Sequence, residues 1–177
     1  GDALYPFALE DLICKHVGLE GLPAIHMWRH SRALIMGLRD RRLPYAKEAM
    51  EQFKREGYAV GVRHSGGAAV PLDDGVVNVT LMMPKMPGDT DFHRDFIRMV
   101  YLLEQVLRGL GITFQSGEIP TSYCPGDYDL SVAGRKFCGI AQRRQLKAYA
   151  VQAFILVEGN GMARGQIAKA FYEHALG

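Results

Sequence analysis

Cysteine is scarce in this 177-residue chain: there are three, Cys14, Cys124 and Cys138, with no close CxxC pairing. An odd, scattered set argues against a disulfide framework and against a zinc site, and it points to a reducing, cytosolic setting. Long apolar runs are missing too. No stretch approaches the roughly 18 residues a bilayer span requires. The opening GDALYPFALEDLICKHVG alternates acidic and apolar residues, where a secretory signal has a cationic end followed by an apolar block. A soluble chain without an address is expected. Neither sign of charge dominates, since 21 Lys and Arg face 19 Asp and Glu, so the chain as a whole carries no polyanion-binding signal. Also absent are a phosphate loop of the GxxxxGK-S/T type, a GxGxxG turn opening a helix and a GxSxG nucleophile elbow. There is no internal repeat, low-complexity tract or linker. The 48% hydrophobic content suffices for a sizeable core, and the length fits one domain.

Periodicity supplies the elements. Residues 3–17 carry Leu4, Phe7, Ala8, Leu12 and Ile13 at helical spacing, with Pro6 in the first turn and Gly18 at the stop. AIHMWRHS and ALIMGLR read as two neighbouring strands with a turn near His30 and Ser31. A helix over LPYAKEAMEQFKREGY ends at Gly57. Residues 59–84 then read strand, loop, strand, turn, strand, broken at Ser65-Gly66-Gly67 and at Asp73-Asp74-Gly75. The longest helix covers Asp91 to Leu110. ITFQ looks like a strand, SGEIPTSYCPGDY like an irregular loop, and DLSVAGRKFCGIAQRR like a hairpin turning at Ala133-Gly134. AYAVQAFILVE adds a strand and MARGQIAKAFYEHALG a final helix. This order predicts an α/β (α+β) fold: a mixed, largely antiparallel sheet flanked by helices.

Three stretches carry chemistry. In VRHSGGAAVPLDDGVVNVT, Gly66 and Gly67 allow backbone geometry and close ligand approach that a side chain would block. A plain glycine turn with a surface Arg63 and His64 accounts for the same residues, and so does a glycine floor under an extended acyl chain. Ser65 lacks a nucleophile elbow. Cys124 lies in a loop off any apolar periodic face, a position that favours exposure, whereas Cys14 and Cys138 read as small buried hydrophobes. A thiolate is a good nucleophile and leaving group for thioester chemistry, and a nearby cation favours it. Lys136 is a candidate for that cation, although local sequence alone ranks an ordinary solvent-facing strand lysine first. AQRRQLK gathers Arg143, Arg144 and Lys147 without interleaved aromatics, so nucleic acid is not expected. His26 and His30 are four apart, but in a strand-like stretch, so no metal is predicted.

Together these motifs resemble the family of lipoate-protein ligases, biotin protein ligases and octanoyltransferases. VRHSGGAAVPLDDGVVNVT is similar to its double-glycine acyl-binding signature ending in Asn78. VAGRKFCGIAQRR is similar to its lysine motif, with Lys136 at the position of the invariant lysine. SYCPGDYDLSV resembles the cysteine-bearing segment of the amidotransferase branch, where that cysteine carries the acyl group and the ATP-using ligases have an Asn-Asp pair.

The resemblance implies a biotinyl protein ligase-like catalytic domain over residues 1–177, lacking the family's terminal segments. It implies an octanoyl amidotransferase in lipoate biosynthesis. The Cys124 thiolate takes the octanoyl group from a lysine of the glycine cleavage H protein and passes it to a lysine of lipoyl domains of 2-oxoacid dehydrogenases, without ATP, metal or other cofactor. Arg63, Ser65, Gly66, Gly67, Ala68 and Ala69 are implied at the acyl site, with Asn78 bracing the loop and His64 a candidate for proton transfer. Lys136, with a main-chain N–H near Gly139, is implied to hold the carbonyl oxygen, or else to help deprotonate the entering amine. Cys138 stands where the family has a small residue, a second thiol beside Lys136. Arg143, Arg144 and Lys147 offer charge to acidic lipoyl domains. An acyl carrier protein donor, an ATP-dependent lipoate ligase and a noncatalytic lipoyl-domain-binding module are the alternatives.

Overall fold

The computed structural model describes every residue except Thr121. In chain order the elements are α1 (Tyr5–Glu20), β1 (Ala24–Trp28), β2 (Arg32–Met36), a 3-10 turn (Asp40–Arg42), α2 (Ala46–Arg55), β3 (Ala59–Val62), β4 (Val70–Asp73) and β5 (Val76–Pro84). There follow α3 (Phe92–Gly109), β6 (Gln115–Ser116), β7 (Leu130–Val132), β8 (Arg135–Arg144), β9 (Ala148–Leu156) and α4 (Gly161–Leu176). Two sheets form. The larger has the order β1-β5-β9-β8-β7-β6 and is antiparallel throughout, and the smaller, β3-β2-β4, contains a parallel pair, β2 with β3. The expected mixed, largely antiparallel architecture with flanking helices is what the chain adopts. Among the described residues no helix is long and apolar enough to cross a membrane.

Helix periodicity translates directly into packing. Met99 and Leu103 of α3 bury against Val79, Leu81, Tyr149, Val151 and Ala153 on one face of the large sheet. On its other face Cys14 and Val17 of α1 meet Met82, Ala148 and Ala150. Phe53 of α2 and Phe171 of α4 close over Leu34 and Met36 of the small sheet. Between the sheets lies a fourth cluster of Ala33, Ile35, Val70, Leu72, Val76 and Cys124.

Three expectations differ in detail. The β1 and β2 stretches do not pair with each other: β1 pairs with β5 in the large sheet, while β2 sits in the small one. Burial gives the reason. In β1 only alternate residues are sheltered, whereas Ala33 to Met36 are buried on both faces, the pattern of a strand covered on each side. His30 closes the link, its Nδ1 accepting from the Arg32 N–H at 3.1 Å and its Nε2 donating to the Gly1 carbonyl at 3.1 Å. Next, α1 runs on through Gly18 to a left-handed cap at Gly21 (φ 75°). Gly18 serves packing instead, since a Cβ there would lie 2.9 Å from Cβ of Lys147. Lastly, ITFQ contributes to β6 only its final residue, Gln115.

The β7–β8 hairpin turns where expected, with Ala133 at φ 48° and Gly134 at φ 72°. Two left-handed residues in succession match a type I′ turn, in which Asn is favoured at the first position and alanine pays a steric penalty. Ala133→Asn should therefore stabilise the protein by about 0.5–1 kcal/mol, read as a thermal midpoint about 1–4 °C higher by differential scanning calorimetry.

Candidate functional site

The double-glycine segment forms the loop between β3 and β4, and one side chain laces it shut. Arg63 is only 7% exposed. Its guanidinium donates to the carbonyls of Ile35 (3.0 Å), Gly66 (2.8 Å) and Ala68 (2.9 Å). Burial pulls its pKa down, against the opposing influence of Cys124 and Asp40. Gly67 has φ 94°, and a Cβ on it would stand 2.7 Å from Arg63 Nη2 and 3.5 Å from Cys124 Sγ. Cation and sulfur thus flank one glycine. A Cβ on Gly37 would lie 1.9 Å from the Gly67 carbonyl oxygen, so the segment after β2 presses on the loop where only glycine fits.

Cys124 arrives from the β6–β7 loop and is buried rather than exposed, at 8%. The loop does not lie on the surface because Cys124 is itself part of the cluster between the sheets, flanked by Phe7, Trp28, Tyr123 and Phe154. Its sulfur still borders open space. Sγ accepts the Ala68 N–H at 3.3 Å and lines a cavity of about 500 Å³, within the usual range of small-molecule sites. Phe7, Trp28, Ile35, Val70, Leu72 and Phe154 give this cavity its apolar wall, and Arg63, Ser65, Gly66, Gly67, Asn78 and Gly139 also line it. Gly139 faces Phe154 across the β8–β9 pair, where a Cβ would lie 2.4 Å from the ring.

Lys136 approaches the cysteine from behind, through the backbone. Its ammonium pairs with Asp129 Oδ2 at 2.8 Å, donates to the Cys124 carbonyl oxygen, and stands 5.6 Å from the Phe154 ring centre. The ammonium thus contacts the main chain of Cys124, and Lys136 is not among the cavity-lining residues. Asp129 also accepts the Gly126 N–H at 3.0 Å, so the ion pair stitches the cysteine loop to the hairpin. Burial holds the Asp129 carboxyl above the ordinary range, outweighing the pull of Lys136 and of the Gly126 N–H.

Other expected residues fall elsewhere. His64 points outward, 61% exposed, where its Nδ1 accepts from Arg143 at 2.6 Å. Ala68 and Ala69 act through main-chain groups behind the cavity wall. Cys138 is fully buried on the α3 side of β8, and burial pushes its thiol up, which removes it as a rival nucleophile. Cys14 is buried as well, its thiol pushed up to about 11 chiefly by desolvation. Arg143 and Arg144 carry intramolecular ion pairs, Arg143 with Asp11 at 2.8 Å and Arg144 with Asp95 at 2.9 Å. His26 turns to Glu10.

Glu10, Asp129, Asp40 and Tyr172 complete the surroundings, and sequence reasoning gave none of them a role. Glu10 is 2% exposed and accepts from His26, Trp28, Thr80 and Gln152. Three of those four donors line the cavity. The legible signal was an acid on the same helical stripe as Cys14 and Val17.

Such a site can hold an apolar chain beside a thiol. Comparison with known proteins gives it a lineage. A relative from Geobacillus kaustophilus, named octanoyl-GcvH:protein N-octanoyltransferase, is 41% identical over 173 residues, covering 97% of this chain and 61% of its own length. A Listeria monocytogenes relative named lipoyl-GcvH:protein N-lipoyltransferase is 36% identical over 172 residues, covering 97% of this chain and 62% of its own. The chain thus spans less than two thirds of the length of the curated relatives it matches. Among solved structures, lipoate-protein ligase A bound with ATP superposes with a TM-score of 0.75 at 22% identity, over 94% of this chain and 68% of that one. The Thermoplasma acidophilum bi-partite lipoate protein ligase gives 0.70 at 24% identity, over 94% and 66%. These two share the fold. The profile described as lipoyl protein ligase A/B catalytic domain matches residues 2–174, and with that coverage the chain belongs to the lipoyl protein ligase A/B catalytic domain family.

Proposed function

We propose that this chain is the catalytic portion of an octanoyl amidotransferase that works through a Cys124 thioester. The observation that carries the reading is the Cys124 sulfur at the wall of an apolar cavity, hydrogen-bonded by the Ala68 N–H at 3.3 Å, in a chain whose relatives are named for acyl transfer from GcvH. The donor is the octanoylated glycine cleavage H protein and the acceptor a lysine of lipoyl domains on 2-oxoacid dehydrogenases. A working thiol suits a reducing compartment, which favours the cytoplasm.

In the first half-reaction the Cys124 thiolate adds to the carbonyl carbon of the octanoyl-lysine amide. The tetrahedral adduct collapses by breaking the C–N bond, and the departing lysine nitrogen takes up a proton and leaves as an amine. A thioester remains. In the second half, a neutral lysine of the acceptor adds to the same carbon, loses a proton, and expels the thiolate as a new amide forms. One lysine amide is exchanged for another, so the bonds made and broken match in kind and no external energy source is required. Division into two steps lets one cavity serve two protein partners in turn.

The polar groups divide this work. Arg63 supplies fixed positive charge next to the sulfur, and Gly66 and Gly67 let the chain lie close to the backbone. Ser65 and Asn78 line the cavity, and their buried Oγ and Nδ2 have no partner among the described residues, hydrogen-bonding capacity that a small side-chain rotation could offer to the polar amide end of an acyl-lysine. The Lys136 contact with the Cys124 carbonyl supports a positioning role: it sets where the loop presents its sulfur. His64, turned to Arg143 and solvent, has no part in proton transfer.

Incubation with octanoylated H protein should add one octanoyl group to Cys124, labile to hydroxylamine and visible by intact-protein mass spectrometry. Cys124→Ser should lack the adduct and lose at least about 10³-fold in transfer rate. A donor comparison belongs to the same experiment: labelling by octanoyl-acyl carrier protein and not by H protein would overturn the donor assignment, and transfer that needs ATP and survives Cys124→Ser would overturn the chemistry.

Lys136 and Asp129 can be tested as a pair. Lys136→Met strands a buried carboxylate and should cost about 3–5 kcal/mol in chemical denaturation. The double variant Lys136→Met/Asp129→Leu should recover most of that stability, while acyl-enzyme formation stays at least about tenfold below wild type because the Cys124 carbonyl has lost its anchor. Full recovery of the rate would remove Lys136 from the site.

A further inference from the structure

Tyr172 lies on α4, far along the chain from the residues discussed so far, and the transfer mechanism gives it no task. Its hydroxyl nevertheless ends two bonds away from the reactive sulfur. The peptide unit joining Ala68 to Ala69 is gripped at both of its polar atoms. Its carbonyl accepts from Arg63 Nη2 at 2.9 Å, and its N–H donates to Tyr172 Oη at 2.8 Å. Holding that plane restricts the preceding one, which is separated from it only by the φ and ψ torsions of Ala68, and the N–H of Ala68 is the group that reaches Cys124 Sγ.

The tyrosine is itself held in one orientation. Its O–H donates to Asp40 Oδ1 at 2.9 Å, leaving a lone pair to face the Ala69 N–H, and Asp40 Oδ2 accepts the Gly37 N–H at 2.8 Å. Asp40 is 6% exposed. Burial, aided by Asp40 and opposed by the Ala69 N–H, raises the phenol above its usual range, in keeping with an O–H that donates to Asp40. Ring packing against Phe171 at 5.2 Å between centroids is independent of the hydroxyl.

We propose that Tyr172 is a positioning residue for the Cys124 sulfur: with Asp40 behind it and Arg63 opposite, it orients the peptide unit that aims the Ala68 N–H at Sγ. The proposal rests on Cys124 being the nucleophile, and it assigns α4 a part in the chemistry without contact with the substrate. Hydrogen bonding to an anionic atom favours the anion, so a loosened Ala68 N–H makes the thiolate harder to form. The charged and titratable groups around the sulfur are Arg63 from the β3–β4 loop, Asp40 from the 3-10 turn, Tyr172 from α4, Tyr123 beside it, and the Lys136–Asp129 pair behind its main chain. Tyr172→Phe leaves all the others in place.

The test needs no acyl donor, so it is independent of donor identity. Alkylation of Cys124 by iodoacetamide in the full chain is followed across pH by peptide mass spectrometry, alongside amide hydrogen exchange. In Tyr172→Phe, alkylation at neutral pH should be about tenfold slower, with its midpoint moved to higher pH. Exchange should accelerate over residues 66–70 alone. An alkylation profile that superimposes on wild type overturns the proposal. So does a shift accompanied by faster exchange throughout the chain, which would mark Tyr172 as a general structural support.

Discussion

A guanidinium enclosed by main-chain carbonyls governs the centre of this molecule. Arg63 draws on three residues, Ile35, Gly66 and Ala68, and in doing so decides the path of the loop against which the Cys124 sulfur rests. Burying a cation without a carboxylate in direct contact is costly unless its hydrogen-bonding capacity is filled. Here strand and loop carbonyls fill it, which ties the small sheet, the double-glycine segment and the cysteine loop into one arrangement. Gly37 and Gly67 follow from the same constraint: each stands where a side chain would strike the laced loop.

The two halves of the site are built by opposite means. On the cavity side, apolar residues from both sheets form the wall, and a buried carboxylate, Glu10, orients three of its polar residues. On the reactive side, one loop is stitched to a hairpin by the Lys136–Asp129 pair while the other is held by Arg63 and Tyr172. The sulfur sits where the two loops meet, and among the described residues its own hydrogen-bond contacts are with the main chain of Ala68, the rest of its placement coming from bonds made to other atoms of the two loops.

Much of this was legible because it is local. The stripe on α3, the glycine breaks of residues 59–84 and the turn at Ala133-Gly134 each declare themselves within a few residues, and the resemblance put Cys124, the double glycine and Lys136 in one neighbourhood. Pairing was harder. Nothing within β1 and β2 says that each has another partner, and only burial on one face against burial on two separates them. The loop position of Cys124 suggested exposure, yet a loop that dives between two sheets is buried by residues distant in sequence. Asp40 and Tyr172 are 132 residues apart, and no periodic pattern links them. Lys136 meets the main-chain carbonyl of Cys124, and which atom it grips depends on the direction from which β8 approaches.

Gly139 carries a further implication. Its bare Cα leaves room for the Phe154 ring of the neighbouring strand, and that ring is part of the apolar wall. Any larger residue at this point would force the ring to shift, and a wall of the cavity with it. The shape of the cavity is thus governed partly by an atom that is missing from the far side of a β-ladder.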